Sequence, residues 1–286
     1  MYLVLAFTLF LFVYVLALVR WRMLLETVEL KIPFKRTCSA YFLSLFVNLF
    51  FPSTIGGDLA RSVDLAIHTK RKEDVAATVF LDRLSGYFGL IIICTISLLL
   101  GYRFIRLASI YLCIGIIFVL FLLIVLILFN RAIFERINSF FKRESKICRL
   151  LKEIHFKIYT FRKKPKIVIY NLVLSVFIQL FGPIICYILA IAFGKNLSLI
   201  YFLVIIPVVG TIAMLPISIG GLGVRDLSMV YFFSQIDISL KDTVFAISLL
   251  SFFFVVLTGL FGGIFHVFTF HPRRLQYHEK GTSTLF

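Results

Sequence analysis

The amino-acid sequence predicts an all-α polytopic integral membrane protein, and three observations carry that prediction. Of the 286 residues, 61% are hydrophobic and only 15% charged, against roughly 45–50% apolar and roughly 25% charged in soluble domains. Apolar runs longer than the roughly 18 residues that suffice to cross a bilayer recur along the chain, and backbone in lipid must close its hydrogen bonds as helix or barrel. These runs show no period-two alternation, so helices are chosen over barrel strands.

Five stretches are long enough to span outright: 3–20, 75–101, 106–129, 167–193 and 240–268. The first has its charges after it (Arg20, Arg22), none before it, and no small-residue cleavage site, so it reads as a retained span and not a signal peptide. Trp21 between those cations suits a membrane interface. The loop 131–166 carries twelve Lys and Arg against Glu135, Glu144 and Glu153, which assigns it to the cytoplasm. Counting spans outward from it puts the N-terminus outside and the C-terminus inside, in a multi-pass protein of the cytoplasmic membrane. Within the loop, Ile133, Phe134, Ile137, Phe140 and Phe141, then Ile147, Leu150, Leu151, Ile154 and Ile158, repeat at three- and four-residue spacing. They predict an amphipathic segment on the headgroups of the inner leaflet, with a solvated connector helix as the alternative.

Two apolar regions remain, 37–67 and 198–234, each interrupted by a proline and paired glycines. Both ends of the first are next to cytoplasmic cations and both ends of the second lie outside, so each is expected to be a re-entrant helical hairpin, entered from opposite sides. A single transmembrane domain is thus expected over 1–270, with a basic cytoplasmic tail at 271–286. The net charge of +16 lies mostly between apolar runs and implies no nucleic acid. The five cysteines are scattered, with neither a disulfide framework nor a zinc spacing, and read as small core residues.

The two hairpin breaks share a motif. Pro52-Ser53-Thr54-Ile55-Gly56-Gly57-Asp58-Leu59-Ala60-Arg61 and Pro216-Ile217-Ser218-Ile219-Gly220-Gly221-Leu222-Gly223-Val224-Arg225 both fit P-x-[ST]-I-G-G-x-x-x-R. Equivalent copies in opposed hairpins make an internal inverted repeat, which in transporters points to the binding site. A helix starting at Gly56-Gly57 or Gly220-Gly221 presents free backbone N–H groups and the positive end of its dipole to an anion, with Thr54 or Ser218 as cap. Arg61 and Arg225 follow about one turn on, with the fork geometry that grips phosphate. An Arg near the bilayer centre costs about 2.5–3.5 kcal/mol even on the lenient insertion scale, so its retention argues for use.

The structural alternatives are specific. Arg61 has Asp58 and Asp64 three residues away as helical partners, whereas Arg225 has no acid at three or four residues and the adjacent Asp226 is expected to point elsewhere. Asp82-Arg83, below the headgroups in the second span, either joins the binding path or locks the span to the hairpin through an Asp82–Arg61 bridge. Asn48 and Gln179 either line that path or bond broken backbone, with packing favoured for Gln179. Gly259 and Gly263 are spaced for close helix packing. No phosphate-loop motif is present and none of the five histidines sits in a metal spacing. Neither catalysis, a metal nor a cofactor is expected.

Asn48-x3-Pro52-x4-Gly57-Asp58-x2-Arg61, Asp82-Arg83-x2-Gly86 and Pro216-x3-Gly220-Gly221-Leu222-Gly223-Val224-Arg225-Asp226 together resemble the flippase-type transmembrane domain of lysylphosphatidylglycerol synthases. The resemblance covers nearly the whole chain. It implies a domain that flips an aminoacylated lipid made by a separate cytosolic transferase domain, which this chain lacks, since the tail after His271 is too short to fold. It also implies Glu where Asp58 and Asp226 stand, a conservative departure, and commonly one more helix upstream of 3–20. The expected function is translocation of an anionic lipid or lipid-linked headgroup, with Arg61, Arg83, Arg225, Thr54, Gly56, Gly57, Ser218, Gly220 and Gly221 on the substrate and Asn48, Asp58, Asp82 and Asp226 in support. The rival expectations are a secondary transporter of a small soluble anion and a non-catalytic membrane subunit that recruits a lipid-modifying enzyme. A homo-oligomer is a further possible partnership.

Overall fold

The computed structural model describes residues 1–51, 55–101, 108–129, 164–213 and 221–282, and no strand occurs among them. Four helices are long and apolar enough to cross a bilayer: α1 (Tyr2–Thr27), α4 (Lys72–Gly101), α6 (Pro165–Ala192) and α9 (Lys241–Thr282). They coincide with four of the predicted spans, and α5 (Ala108–Phe129) coincides with the fifth. Its 22 residues cover about 33 Å at 1.5 Å per residue. The outward faces stay apolar, with Val4, Leu99, Phe261 and Phe268 all exposed, a surface that hydrocarbon tails solvate as well as another leucine would. The chain is therefore an all-α polytopic membrane protein.

The two interrupted regions form four short helices, α2 (Phe34–Val47), α3 (Ile55–Thr69), α7 (Leu199–Ala213) and α8 (Val224–Ser234). With 14, 15, 15 and 11 residues, they reach about 16–22 Å, short of the roughly 30 Å hydrocarbon core. α2 packs on α3, and α7 on α8. Arg36 at the start of α2 bonds both the carboxylate and the carbonyl of Asp64 on α3, fixing the base of the first pair. That contact also removes Asp64 as a partner for Arg61. Residues 52–54 and 214–220, which carry part of each expected hairpin break, lie outside the described residues, as does the amphipathic segment expected over 131–166, apart from 164–166.

Packing between the halves follows one rule. Exchanging α1, α2, α3 and α4 with α6, α7, α8 and α9 maps every packed helix pair among these eight onto another packed pair. α2 lies on α9 as α7 lies on α4, and α3 lies on α4 as α8 lies on α9, while α1 against α6 maps onto itself. The α2–α9 contact depends on glycines. A Cβ at Gly259 would sit 2.8 Å from Leu49 Cδ1, one at Gly262 2.6 Å from the Phe42 carbonyl, and one at Gly263 2.6 Å from the Phe46 ring. The GxxxG spacing thus serves packing within the chain.

One sequence expectation is corrected here. Trp21 is not at an interface: α1 continues past it to Thr27, and the indole is fully buried beside Leu18, Leu25, Tyr41, Leu65 and Val75. The reason is the helical face. Tyr14, Leu18, Trp21 and Leu25 recur at four, three and four residues, so they share one side of α1 and turn together into the bundle.

Candidate functional site

Five charged side chains from three helices meet inside the bundle. Asp82 on α4 accepts from Arg20 Nε of α1 at 2.8 Å and from Arg61 Nη2 of α3 at 3.0 Å. Asp58 lies in an ion pair with the same Arg61 nitrogen at 2.9 Å and accepts from Arg83 Nε. Arg20 Nη1 also donates to Ser175 Oγ on α6 at 3.1 Å, and the Arg20 carbonyl accepts from Asn171 Nδ2 at 3.0 Å. The chain of contacts Ser175–Arg20–Asp82–Arg61–Asp58–Arg83 therefore ties together α6, α1, α4 and α3. Both alternatives raised for Arg61 hold at once, the local ion pair with Asp58 and the bridge to Asp82.

Burial makes this cluster unusual. Arg61 is 2% exposed, Asp82 4% and Arg20 8%, and a buried ion pair with one partner removed is destabilised by about 3–5 kcal/mol. Among the described residues that line the adjoining cavity, three arginines face two aspartates. The Arg61 guanidinium lies 4.5 Å from the Trp21 ring centre, a cation–π arrangement that steadies a desolvated cation. Its Nε and Nη1 find no hydrogen-bond acceptor among the described residues.

A cavity of about 370 Å³ opens beside the cluster, within the roughly 300–1,000 Å³ typical of small-molecule sites. Arg20, Asp58, Arg61, Asp82 and Arg83 line it from the first half, together with Tyr14, Tyr41, Tyr87 and Asn48. Gln179 on α6, Gly210 and Ala213 on α7, Gly221 and Val255 line it from the second half. Pro183 inside α6 has no N–H to give to the carbonyl four residues back, so the Gln179 carbonyl lacks its usual helical donor although the helix continues. The Gln179 side chain donates to the Gly86 carbonyl at 3.0 Å, so it lines the cavity while holding α4 to α6.

The helix starts differ from expectation. Gly57 N–H is not free for an anion, because Asn48 Oδ1 accepts it at 2.7 Å. Asn48 lies so close that a Cβ at position 57 would strike its amide and the Ser44 carbonyl, which is why glycine stands there. Gly56 packs against Phe51 and, like Gly57, lies outside the cavity lining. The α8 start is closed in a similar way: Gly223 takes φ +77°, and its N–H donates to Asp226 Oδ2 at 2.9 Å. Thr54, Ser218 and Gly220 lie outside the described residues.

Arg225 also departs from the sequence reading. It does pair with Asp226, through Nη2 at 3.1 Å, and bonds Ser248 of α9 through the carbonyl at 2.8 Å and Oγ at 3.1 Å. Asp226 folds back toward the helix start to cap Gly223, which brings its carboxylate within reach of the neighbouring side chain. Arg225 is not among the residues that line the cavity. Of the predicted substrate residues, Arg61, Arg83 and Gly221 meet at the cavity, with Asn48, Asp58 and Asp82 beside them. Sequence reasoning missed Arg20, Tyr14, Tyr41 and Tyr87.

The fold and this cluster define a class: a polytopic helical membrane protein built around a charged internal cavity between two similarly packed halves. Residues 1–263 match the family described as the lysylphosphatidylglycerol synthase TM region, and the chain belongs to that family. A UPF0104 membrane protein of Methanothermobacter thermautotrophicus is 25% identical over 240 residues, covering 77% of this chain and 71% of that protein. No solved structure matches.

Proposed function

We propose that this protein translocates an anionic lipid, or a lipid-linked anionic headgroup, across the cytoplasmic membrane. The observation that carries the proposal is the excess positive charge buried beside a cavity that both halves line. The unpartnered Arg61 donors and the part-exposed Arg83 side chain offer the grip on phosphate, while the apolar outer face of α3 (Leu59, Val63, Ile67) leaves acyl chains in lipid. The paired exchange of helix contacts supports reading the halves as an inverted repeat and the short helix pairs as re-entrant hairpins, the architecture used for alternating access. On this reading the chain itself makes and breaks no covalent bond, and its C-terminus lies in the cytoplasm. Proteoliposomes with a tail-labelled anionic lipid provide the test: the protein should accelerate exchange between leaflets, and a rate equal to that of protein-free vesicles would overturn the proposal.

A secondary transporter of a small soluble anion would use the same charges. The depth at which Asp82 and Arg61 are buried favours this second reading, since a fully enclosed ligand needs no path for acyl chains. Uptake of a labelled soluble phosphate ester, without lipid movement, would select it.

A further inference from the structure

We propose that the cavity selects a phosphate ester carrying an uncharged polyol, a glycerol or sugar headgroup, over one carrying an ammonium group. The inference rests on the cavity being the substrate site and deepens that reading by naming the class of headgroup.

Two sets of groups on the cavity wall argue for it. The first is the set of acids. An uncommitted carboxylate is the strongest partner for an ammonium, yet Asp58 is held by Arg61 and Arg83, and Asp82 by Arg20 and Arg61. The hairpin tips 52–54 and 214–220 contain no acidic residue. With arginines outnumbering acids among the described residues of the lining, a further positive charge would enter an environment that repels it, and burying an uncompensated charge is heavily disfavoured. An aminoacylated headgroup of the kind the family description brings to mind has that extra ammonium.

The second set is made of hydroxyls. Tyr14, Tyr41 and Tyr87 all line the cavity, and no hydrogen bond joins any of their phenol oxygens to a described residue. A phenol both donates and accepts, which complements an alcohol and not a bare phosphate. They come from α1, α2 and α4, so they reach the cavity from three helices instead of forming one stripe. Arg61, nine-tenths buried and with two donors open, takes the phosphate, and the tyrosines take the polyol next to it. A site that presents hydrogen-bonding groups to a hydroxyl discriminates against the analogue that lacks it.

The experiment reconstitutes the full chain in phosphatidylcholine vesicles with tail-labelled probes: phosphatidylglycerol, phosphatidic acid, phosphatidylethanolamine and lysylphosphatidylglycerol. Phosphatidylglycerol should exchange at least about tenfold faster than each of the others, the scale of one lost hydrogen bond. In the Tyr14→Phe/Tyr41→Phe/Tyr87→Phe variant the ratio of phosphatidylglycerol to phosphatidic acid should fall toward one, and Tyr87→Phe alone, at a half-buried position, should lower it part of the way. Equal wild-type rates for phosphatidylglycerol and phosphatidic acid overturn the polyol inference and leave the proposed function standing. Faster movement of lysylphosphatidylglycerol overturns it as well. A parallel arm measures uptake of labelled glycerol 3-phosphate. Uptake with no lipid movement, lost in the tyrosine variant, keeps the polyol phosphate as ligand and overturns lipid translocation. Movement of neither overturns both.

Discussion

The two copies of the Pro-Gly-Gly-Arg motif begin alike and end in different chemistry. Arg61 reaches from α3 across to Asp82 on α4, an acid it shares with Arg20 of α1. Arg225 reaches from α8 to α9, which holds the place of α4 in the other half, but meets Ser248 there and takes its charge partner from Asp226 on its own helix. One arginine is thus part of a network with more cation than anion, and the other is neutralised where it stands. The lesson is that the motif supplies the break and the arginine, while the placement of the acids decides whether that arginine serves a ligand or a helix junction.

The widest contrast expected of the two short helix pairs, if they are opposed re-entrant hairpins, is in sidedness. Single cysteines at Lys35 and Lys70 in a cysteine-free background should both label only from the cytoplasm, and those at Asn196 and Asp237 only from outside. Labelling of positions 35 and 70 from opposite faces would remove the equivalence on which the comparison stands.

Next in size is the acid that one half has and the other lacks. Asp82→Ala leaves Arg20 without a carboxylate and Arg61 with Asp58 alone, so a loss of about 3–5 kcal/mol is expected. Ser248→Ala removes a hydroxyl while the main-chain acceptor at 248 stays, and should lose about 1 kcal/mol. Thermal unfolding followed by size-exclusion chromatography in detergent ranks the pair. Equal losses would mean that the two junctions carry similar loads.

Transport separates the arginines. Arg61→Gln leaves Asp82 paired with Arg20 and should slow lipid exchange about ten- to a hundredfold, the scale of hydrogen bonds to a charged group. Arg225→Gln, outside the cavity lining, should slow it much less. A folded Arg225→Gln protein as inactive as Arg61→Gln would break the comparison.

A purely local contrast is at the helix starts. Gly223→Ala places a Cβ in open space but at φ +77°, which should lower stability by about 1–2 kcal/mol. Gly57→Ala drives a Cβ into the Ser44 carbonyl and the Asn48 amide and should exceed that in the same unfolding assay.

The spans and the short helices were legible in sequence because bilayer thickness sets a length scale that apolar runs either meet or miss. The Asp82–Arg61 contact was legible as one of two options, since an acid inside a span has few partners. Arg20 was not. It ends an apolar run beside Arg22, which is how a cytoplasmic flank looks, and only the continuation through Met23, Leu24 and Leu25 places it inside a longer helix. The tyrosines were hidden for another reason: a phenol in an apolar helix reads as bulk until its neighbours are known. Arg225 was misjudged because adjacent helical residues point about 100° apart, and the backward turn of Asp226 onto Gly223 cancels that separation.

The crossed support of the helices has a mechanical consequence. Because α2 leans on α9 and α7 leans on α4, neither hairpin rests on a span from its own half alone. The glycine face of α9 lets the Phe42 carbonyl, the Phe46 ring and the Leu49 side chain press directly on its backbone, so a shift of one is passed to the other with little slack. If the short helix pairs move during transport, this crossed packing would pass a displacement of α2 to α9 and one of α7 to α4, so a shift in either half would be felt by a long helix of the other.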